Sequence, residues 1–248
     1  MKQPQIAVLV YTYNKIHDAR INMEIIRNQW VTNPMLREII LVHAFNGQKE
    51  WWPEKYLEDE LIYLDNPGHF TGAALLMDEG LKLISVKYPN INHVIVLAAD
   101  TWMVQPEFLE RLVTTMSTEK KLLSTCGWAN AVAIGNQNGK DRYWSSIALD
   151  FFIINVQWAI KYSFFPIRFQ DFLDRNSEAL YYSFNIIYLE PVVLLRFKQA
   201  LLRFVSITSE NMIPYIVDEH IFHIKEREPV MTFRKDHTTG EILRERKF

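Results

Sequence analysis

Four short apolar runs, each ending in polar residues, constrain this chain more than any other feature. They are Ile6 to Val10, Glu38 to Val42 (EIILV), Leu61 to Leu64 and Val94 to Leu97. A run that stays apolar without alternating suits a strand covered on both faces. Helical spacing fills the gaps between the runs. Ile16, Ala19, Met23, Ile26 and Trp30 recur at intervals of three and four, and Asn33-Pro34 closes that segment. A second helix is expected from about Thr71 to Val86, with Ala73, Leu76, Met77, Gly80, Leu81 and Ile84 inward, ending at Tyr88-Pro89-Asn90. Pro106 starts a third, whose stripe is Phe108, Leu109, Leu112 and Val113. Buried strands alternating with helices predict an α/β fold: a mostly parallel sheet with helices on both faces.

If those strands are parallel and adjacent, the residues that follow them share one edge. These are Tyr11-Thr12-Tyr13-Asn14, His43 to Gly47, Asp65-Asn66-Pro67-Gly68-His69 and Asp100-Thr101-Trp102. Ligands of open α/β sheets bind at this edge, outside the carboxyl ends of the strands. The residue types suit a nucleotide: an aromatic ring for a base, amides and a carboxylate for a ribose, and an acid for a phosphate-bound cation. Ordinary loop residues would also read this way.

The second half has a different pattern. Leu122 to Trp128 and Tyr143 to Ile154 read as strands, the latter with Asp150 inside it, and a polar loop, Gly135 to Lys140, lies between them. Ser177 to Phe204 reads as one or two helices broken near Pro191. The charged tail has a strand candidate at Val230 to Phe233 and a turn at Thr239-Gly240. Trp128, Trp144, Trp158, Phe164, Phe165, Tyr181 and Tyr182 make this half aromatic-rich; most should be core, and exposed ones offer faces for a sugar. Arg196, Lys198, Arg203 and the basic tail read as a solvated face or as a place for an acceptor phosphate. No repeat or linker divides the chain. A single domain over 1–248 is expected, with 1–116 as the nucleotide-binding half and 117–248 as the acceptor half and tail.

Composition sets the outer bounds. Of 248 residues, 49% are hydrophobic, enough for a large core, and the net charge of −2 argues against a general nucleic-acid binder. The lone cysteine, Cys126, allows no internal disulfide and fits a reducing compartment. The apolar run near the N-terminus is too short for a signal peptide or a membrane span. The expectation is a cytoplasmic protein, with peripheral association at the inner face of a membrane left open.

Three stretches carry a family resemblance. IAVLVYTYNKIHDARINMEIIRNQW resembles the first strand, Thr-x-Asn turn and first helix of GT-A-fold glycosyltransferases, especially family 2-like bacterial nucleotide-sugar transferases. NPGHFTGAALLMDEGL resembles their segment after the third strand, and HVIVLAADTWMVQPEFLERL the segment carrying their Asp-x-Asp motif. The resemblance covers roughly residues 5 to 116. It implies a GT-A (Rossmann-like) fold with a partly helical C-terminal acceptor region. It also implies transfer of a sugar from a nucleotide donor, UDP-linked first, to a glycan, lipid-linked or protein acceptor in bacterial surface polysaccharide synthesis. Thr12, Tyr13, Asn14, Asp65, Asn66, Gly68, His69, Gly72 and Asp100 would then bind the nucleotide. Asp100 and His237 would hold a Mn²⁺ or Mg²⁺ ion, which stabilises the charge on a departing diphosphate.

This chain departs from the pattern in two places. Ala98 stands where the first acid of the motif is expected, and His43-Ala44 replaces an acidic pair. Either Asp100 suffices for the metal, or a Lys or Arg neutralises the diphosphate, or catalysis is lost. His220 and His223 are further candidate ligands: three apart, they would share a helix face but lie on opposite sides of a strand. An inverting transferase needs a base for the acceptor hydroxyl. Asp150, an acid amid apolar neighbours, and Glu219 are preferred, with Glu178 and Asp218 behind them. The alternatives are a non-catalytic nucleotide- or glycan-binding protein and a sugar nucleotidyltransferase. The latter needs a Gly-rich phosphate loop, and Tyr11 to Arg20 contains no glycine.

Overall fold

A computed structural model describes residues 5–65, 69–126, 132–137, 140–144, 147–168, 189–206, 213–224, 230–235 and 242–247. The first half follows the expected alternation: β1 (Ile6–Thr12), α1 (Ile16–Asn28), β2 (Ile40–Phe45), β3 (Glu60–Tyr63), α2 (His69–Lys87), β4 (His93–Ala98), β5 (Thr101–Met103) and α3 (Pro106–Thr118). The second half adds β6 (Leu123–Cys126), β7 (Val132–Gln137), β8 (Lys140–Trp144), β9 (Phe151–Asn155), α4 (Val156–Lys161), α5 (Leu189–Val205), α6 (Ile213–His220), β10 (Ile221–Ile224), β11 (Val230–Lys235) and β12 (Ile242–Lys247).

Among the described residues, seven strands form the main sheet in the order β10-β6-β9-β4-β1-β2-β3. β1 pairs in parallel with β2 and β4, and β2 with β3. β9 is antiparallel to both of its neighbours, β4 and β6, while β10 is parallel to β6. The fold is therefore α/β with a mostly parallel sheet flanked by helices.

The period of two along each strand divides the core. Ala7 and Leu9 of β1, Val94 and Val96 of β4, and Phe152 and Ile154 of β9 face one layer, filled by Met77, Leu81 and Ile84 of α2, Trp158 of α4, and Val193 and Phe197 of α5. Val8 and Val10, Ile95 and Leu97, and Phe151 and Ile153 face the other, filled by Met23 and Ile26 of α1 and by Phe108, Leu109 and Leu112 of α3. Strands with apolar residues on both faces thus read as unbroken apolar runs. At Gly80 α2 comes so close to β1 that a β-carbon would stand 2.5 Å from Leu9 Cδ1.

Several elements differ from the sequence expectation. Asp150 does not lie inside a strand: it sits in a turn directly ahead of β9, and the expected 143–154 strand is split around it. Gly135 to Gln137 and Lys140, expected in a polar loop, belong to the β7-β8 hairpin, where backbone pairing outweighs polar composition. Pro191 lies in the first turn of α5, where a proline lacks no needed N–H donor, and the earlier part of the expected helical stretch, residues 177–188, lies outside the described residues. The charged 48–60 loop buries Trp52, whose indole N–H donates to Glu58 at 2.9 Å. Trp158 and Phe164 are core, as expected for most of the aromatics. Arg196 and Arg203 are committed to the fold, donating to the Ser163 carbonyl (2.8 Å) and the Tyr162 carbonyl (3.1 Å). Trp128, Ser177, Tyr181, Tyr182 and the Thr239-Gly240 turn lie outside the described residues.

Candidate active site at the ends of the parallel strands

β1 is the strand at which the sheet order reverses, with β2 on one side and β4 on the other. The crevice beyond the ends of β1 and β4 is therefore the topological switch point, where ligands of such sheets bind. Two chains of residues enter it. Tyr13 and Asn14 follow β1 and are exposed, and Lys15 comes next, just ahead of α1. Ala98 and Ala99 end β4 nearly buried, and Asp100 follows them.

Lys15 and Asp100 meet across the crevice. The Lys15 ammonium donates to Asp100 Oδ2, with side chains 29% and 15% exposed. The pair is held in place yet open to solvent. Sequence reasoning passed over Lys15. The signal available was its place, one residue beyond the Thr-x-Asn turn and opposite a lone acid.

The turn that carries Asp100 is fixed from below. Buried Asn22 of α1 donates its side-chain amide to the carbonyls of Ala98 (3.3 Å), Ala99 (3.4 Å) and Thr101 (2.9 Å). Trp30 donates its indole N–H to Met103 O at 2.7 Å, and Trp102 its own to Asp18 O at 3.2 Å. Asn22, also missed, is a polar residue on the buried face of α1, three after Ala19 and four before Ile26; only the fold reveals what it serves.

The antiparallel β9 brings Asp150 to the same edge. Its carbonyl accepts the Ala98 N–H at 3.0 Å, and the Tyr11 hydroxyl donates to the neighbouring Leu149 carbonyl at 3.2 Å. Asp150 is half-buried. The tail reaches this edge as well. β11 pairs antiparallel with β5, Thr232 opposite Thr101, so its later residues run past the Asp100 end. His237, just beyond β11, lies outside the described residues, as do Asn66, Gly68 and Glu178.

Other predicted residues are placed differently. Thr12 is buried, its hydroxyl 3.0 Å from His43 Nε2, and so faces the core. His43 is packed edge-on against Trp52, and burial lowers its pKa to about 3, so it is a neutral core residue. Asp65 is exposed after β3, His69 opens α2, and Gly72 is buried within that helix. Glu219 is not brought to this edge. It is exposed near the end of α6, ahead of β10, and its carbonyl accepts from Lys121 where β10 and β6 begin. Asp218 is beside it in α6. His220 ends α6 and His223 lies in β10, so they share no helix face; burial lowers the pKa of His220.

The fit of a divalent ion can be judged from the donors. Mg²⁺ and Mn²⁺ need several oxygen ligands. Asp100 supplies one carboxylate, already paired with an ammonium. Among the described residues no group of three His, Cys, Asp or Glu side chains gathers that would hold a metal. The described donor set does not fit a resident ion. No helix among the described residues is long and apolar enough to cross a membrane.

No family model and no curated protein matches the chain. Solved structures do. One is a glycosyltransferase involved in glycosylation of the major capsid of PBCV-1, at 14% identity, covering 77% of this chain and 74% of that one, TM-score 0.41. The glycosyltransferase GlyE of Streptococcus pneumoniae is similar at 10% identity over 91% of this chain and 46% of its own, TM-score 0.46. A mannosyltransferase of Pyrobaculum calidifontis, in complex with GDP-Man and Mn²⁺, is similar at 12% identity over 65% of this chain and 47% of its own, TM-score 0.41.

Proposed function

We propose that the chain is a single-domain, GT-A-like glycosyltransferase that moves a sugar from a nucleotide donor, UDP-linked first, to a glycan, lipid-linked or protein acceptor. The observation that supports this is the convergence of Lys15, Asp100 and Asp150 on the switch-point edge of a mostly parallel sheet. A cation, an acid that holds it and a second acid are what such a transfer requires. In the proposed reaction, the acceptor hydroxyl attacks the anomeric carbon while Asp150 takes the hydroxyl proton. The bond from that carbon to the diphosphate breaks, and its electron pair leaves on the diphosphate oxygen. Exposed Tyr13 and Asn14 flank the base and ribose. No step is assigned to a metal, because the described donors do not fit one. Bacterial surface polysaccharide synthesis at the cytoplasmic face of a membrane is the proposed setting.

The test is incubation with UDP-, GDP- and CMP-sugars while donor hydrolysis and nucleotide binding are followed. Turnover of any one supports the reading, and absence of binding to all of them at millimolar concentration sinks it. The departure at Ala98 favours a second reading, a binding module that kept the fold and lost the chemistry. Binding without hydrolysis or transfer would select it.

A further inference from the structure

We infer that Lys15, rather than a divalent ion, carries the positive charge on which a nucleoside diphosphate is bound and departs, with Asp100 as its positioning residue. The inference rests on the reading just proposed and adds the means by which that site neutralises its leaving group.

Position is the first argument. Lys15 enters from β1 and Asp100 from β4, so their ion pair spans the switch-point crevice itself. Availability is the second. Arg20 lies over the Trp52 and Tyr56 rings at 5.3 and 5.5 Å, Arg27 pairs with Asp59 at 2.7 Å, and Lys49 lies over Tyr63 at 5.8 Å. Those cations are engaged by groups of the 49–63 segment, whereas Lys15 is engaged by the acid that follows β4 at the switch point. Valence is the third. An ammonium has three N–H donors. One serves Asp100, which leaves capacity for phosphate oxygens, and lysine binds phosphate as a point charge. Rigidity is the fourth. Asn22 fixes the carbonyls on both sides of Asp100, so the acid is a stationary anchor for a long, flexible side chain.

In the reaction Lys15 remains an ammonium throughout. As the anomeric C–O bond breaks, charge grows on the diphosphate oxygens, and the fixed cation stabilises it without a proton transfer. Asp100 then has a sign opposite to that of a metal ligand. A ligand's carboxylate helps a nucleotide bind through the ion. A counter-ion's carboxylate repels the incoming diphosphate while keeping the lysine in place.

Calorimetry with UDP and with GDP, in EDTA and in Mn²⁺, tests this on the wild type, Lys15→Met, Lys15→Arg and Asp100→Asn, with thermal melts as fold controls. The inference expects nucleotide binding that differs less than twofold between EDTA and Mn²⁺. It expects at least tenfold weaker binding in Lys15→Met, partial recovery in Lys15→Arg, and unchanged or tighter binding in Asp100→Asn. Binding only in Mn²⁺, lost in Asp100→Asn, overturns the inference and leaves the transferase reading standing. Lys15→Met binding like the wild type also overturns it. Failure of the wild type to bind either nucleotide in either condition overturns the inference, and it refutes the transferase reading as well only when the UDP-, GDP- and CMP-sugars also go unbound. Should Lys15→Met fail to fold, the Asp100→Asn result decides by its sign.

Discussion

Replacing Asp78 with asparagine should steepen the dependence of stability on pH, by an amount the structure sets. Asp78 lies on α2, buried, and its Oδ1 accepts the Ile167 N–H at 2.7 Å. Burial pushes its pKa up to about 7, although the backbone N–H groups of Ile167 and Arg168 and the charge of Arg196 pull the other way. In the unfolded chain an Asp titrates near ~3.9. Between those values the folded protein holds a proton that the unfolded chain has lost. Stability then falls as pH rises, by about 1.4 kcal/mol per unit and roughly 4 kcal/mol in all. His43 and His93 act with the opposite sign. Burial lowers them to about 3 and about 4, so below pH 6.5 the unfolded chain takes up protons that the folded one refuses. Each makes stability rise with pH at about 1.4 kcal/mol per unit over its window. From pH 4 to 6.5 one imidazole therefore offsets Asp78, and these three groups together should give the wild type about 1.4 kcal/mol per unit, to which the lowered pKa of His220 and of Glu60 adds in both proteins alike. Asp78→Asn removes the offset, so its slope should exceed that of the wild type by about 1.4 kcal/mol per unit. Its cost from turning an amide N–H toward the Arg168 N–H is independent of pH and does not enter the slope. Urea titrations at unit steps from pH 4.5 to 8.5 measure both slopes. Parallel profiles for the two proteins would show that Asp78 is ionised when folded and refute the reasoning.

Three further outcomes follow from the packing and the site. Gly80→Ala should lower stability by about 1–2 kcal/mol, because overpacking Leu9 outweighs the gain in helix propensity, and adding Leu9→Val should restore part of it in thermal melts. Asn22→Leu should cost about 1–3 kcal/mol by orphaning buried carbonyls and should weaken nucleotide binding more than its effect on folding explains, because the turn carrying Asp100 is released. Asp150→Asn should cut turnover by about 10²-fold or more with nucleotide affinity unchanged, while Glu219→Gln should stay within about twofold of wild type in the same assay.

The parts of the fold that were legible are those in which one residue pattern admits one environment. Val94 to Leu97 has no polar face, so it had to be an interior strand, and from that its neighbours followed. Asp150 misled because an acid amid seven apolar residues looks the same whether it stands within a strand or just ahead of it; the turn at Leu149-Asp150 decides. His43 and Thr12 read as site residues because they follow or end apolar runs. Their side chains instead satisfy each other inside the core, since alternate residues of a strand point to opposite faces. Lys15 and Asn22 were passed over for another reason. One is a surface-type residue and the other a polar residue in a helix, and each acquires its role only from a partner more than seventy positions away.

Strand direction explains which acids can cooperate, and sequence distance does not. Asp100 follows a strand and Asp150 precedes one, yet they reach the same edge because β9 runs against β4. Had β9 been parallel, the residue before it would have opened onto the far edge, a full strand length from the crevice. Glu219 is that case. It too shortly precedes a strand, but β10 is parallel to β6, which is itself parallel in sense to β4, so Glu219 stands at the edge where the strands begin. The same logic applies to β11. It runs against β5, so Phe233 to Lys235 are carried toward Asp100 rather than away from it. The end of a parallel sheet thus gathers residues from antiparallel elements as well, the ones whose near ends point back toward it.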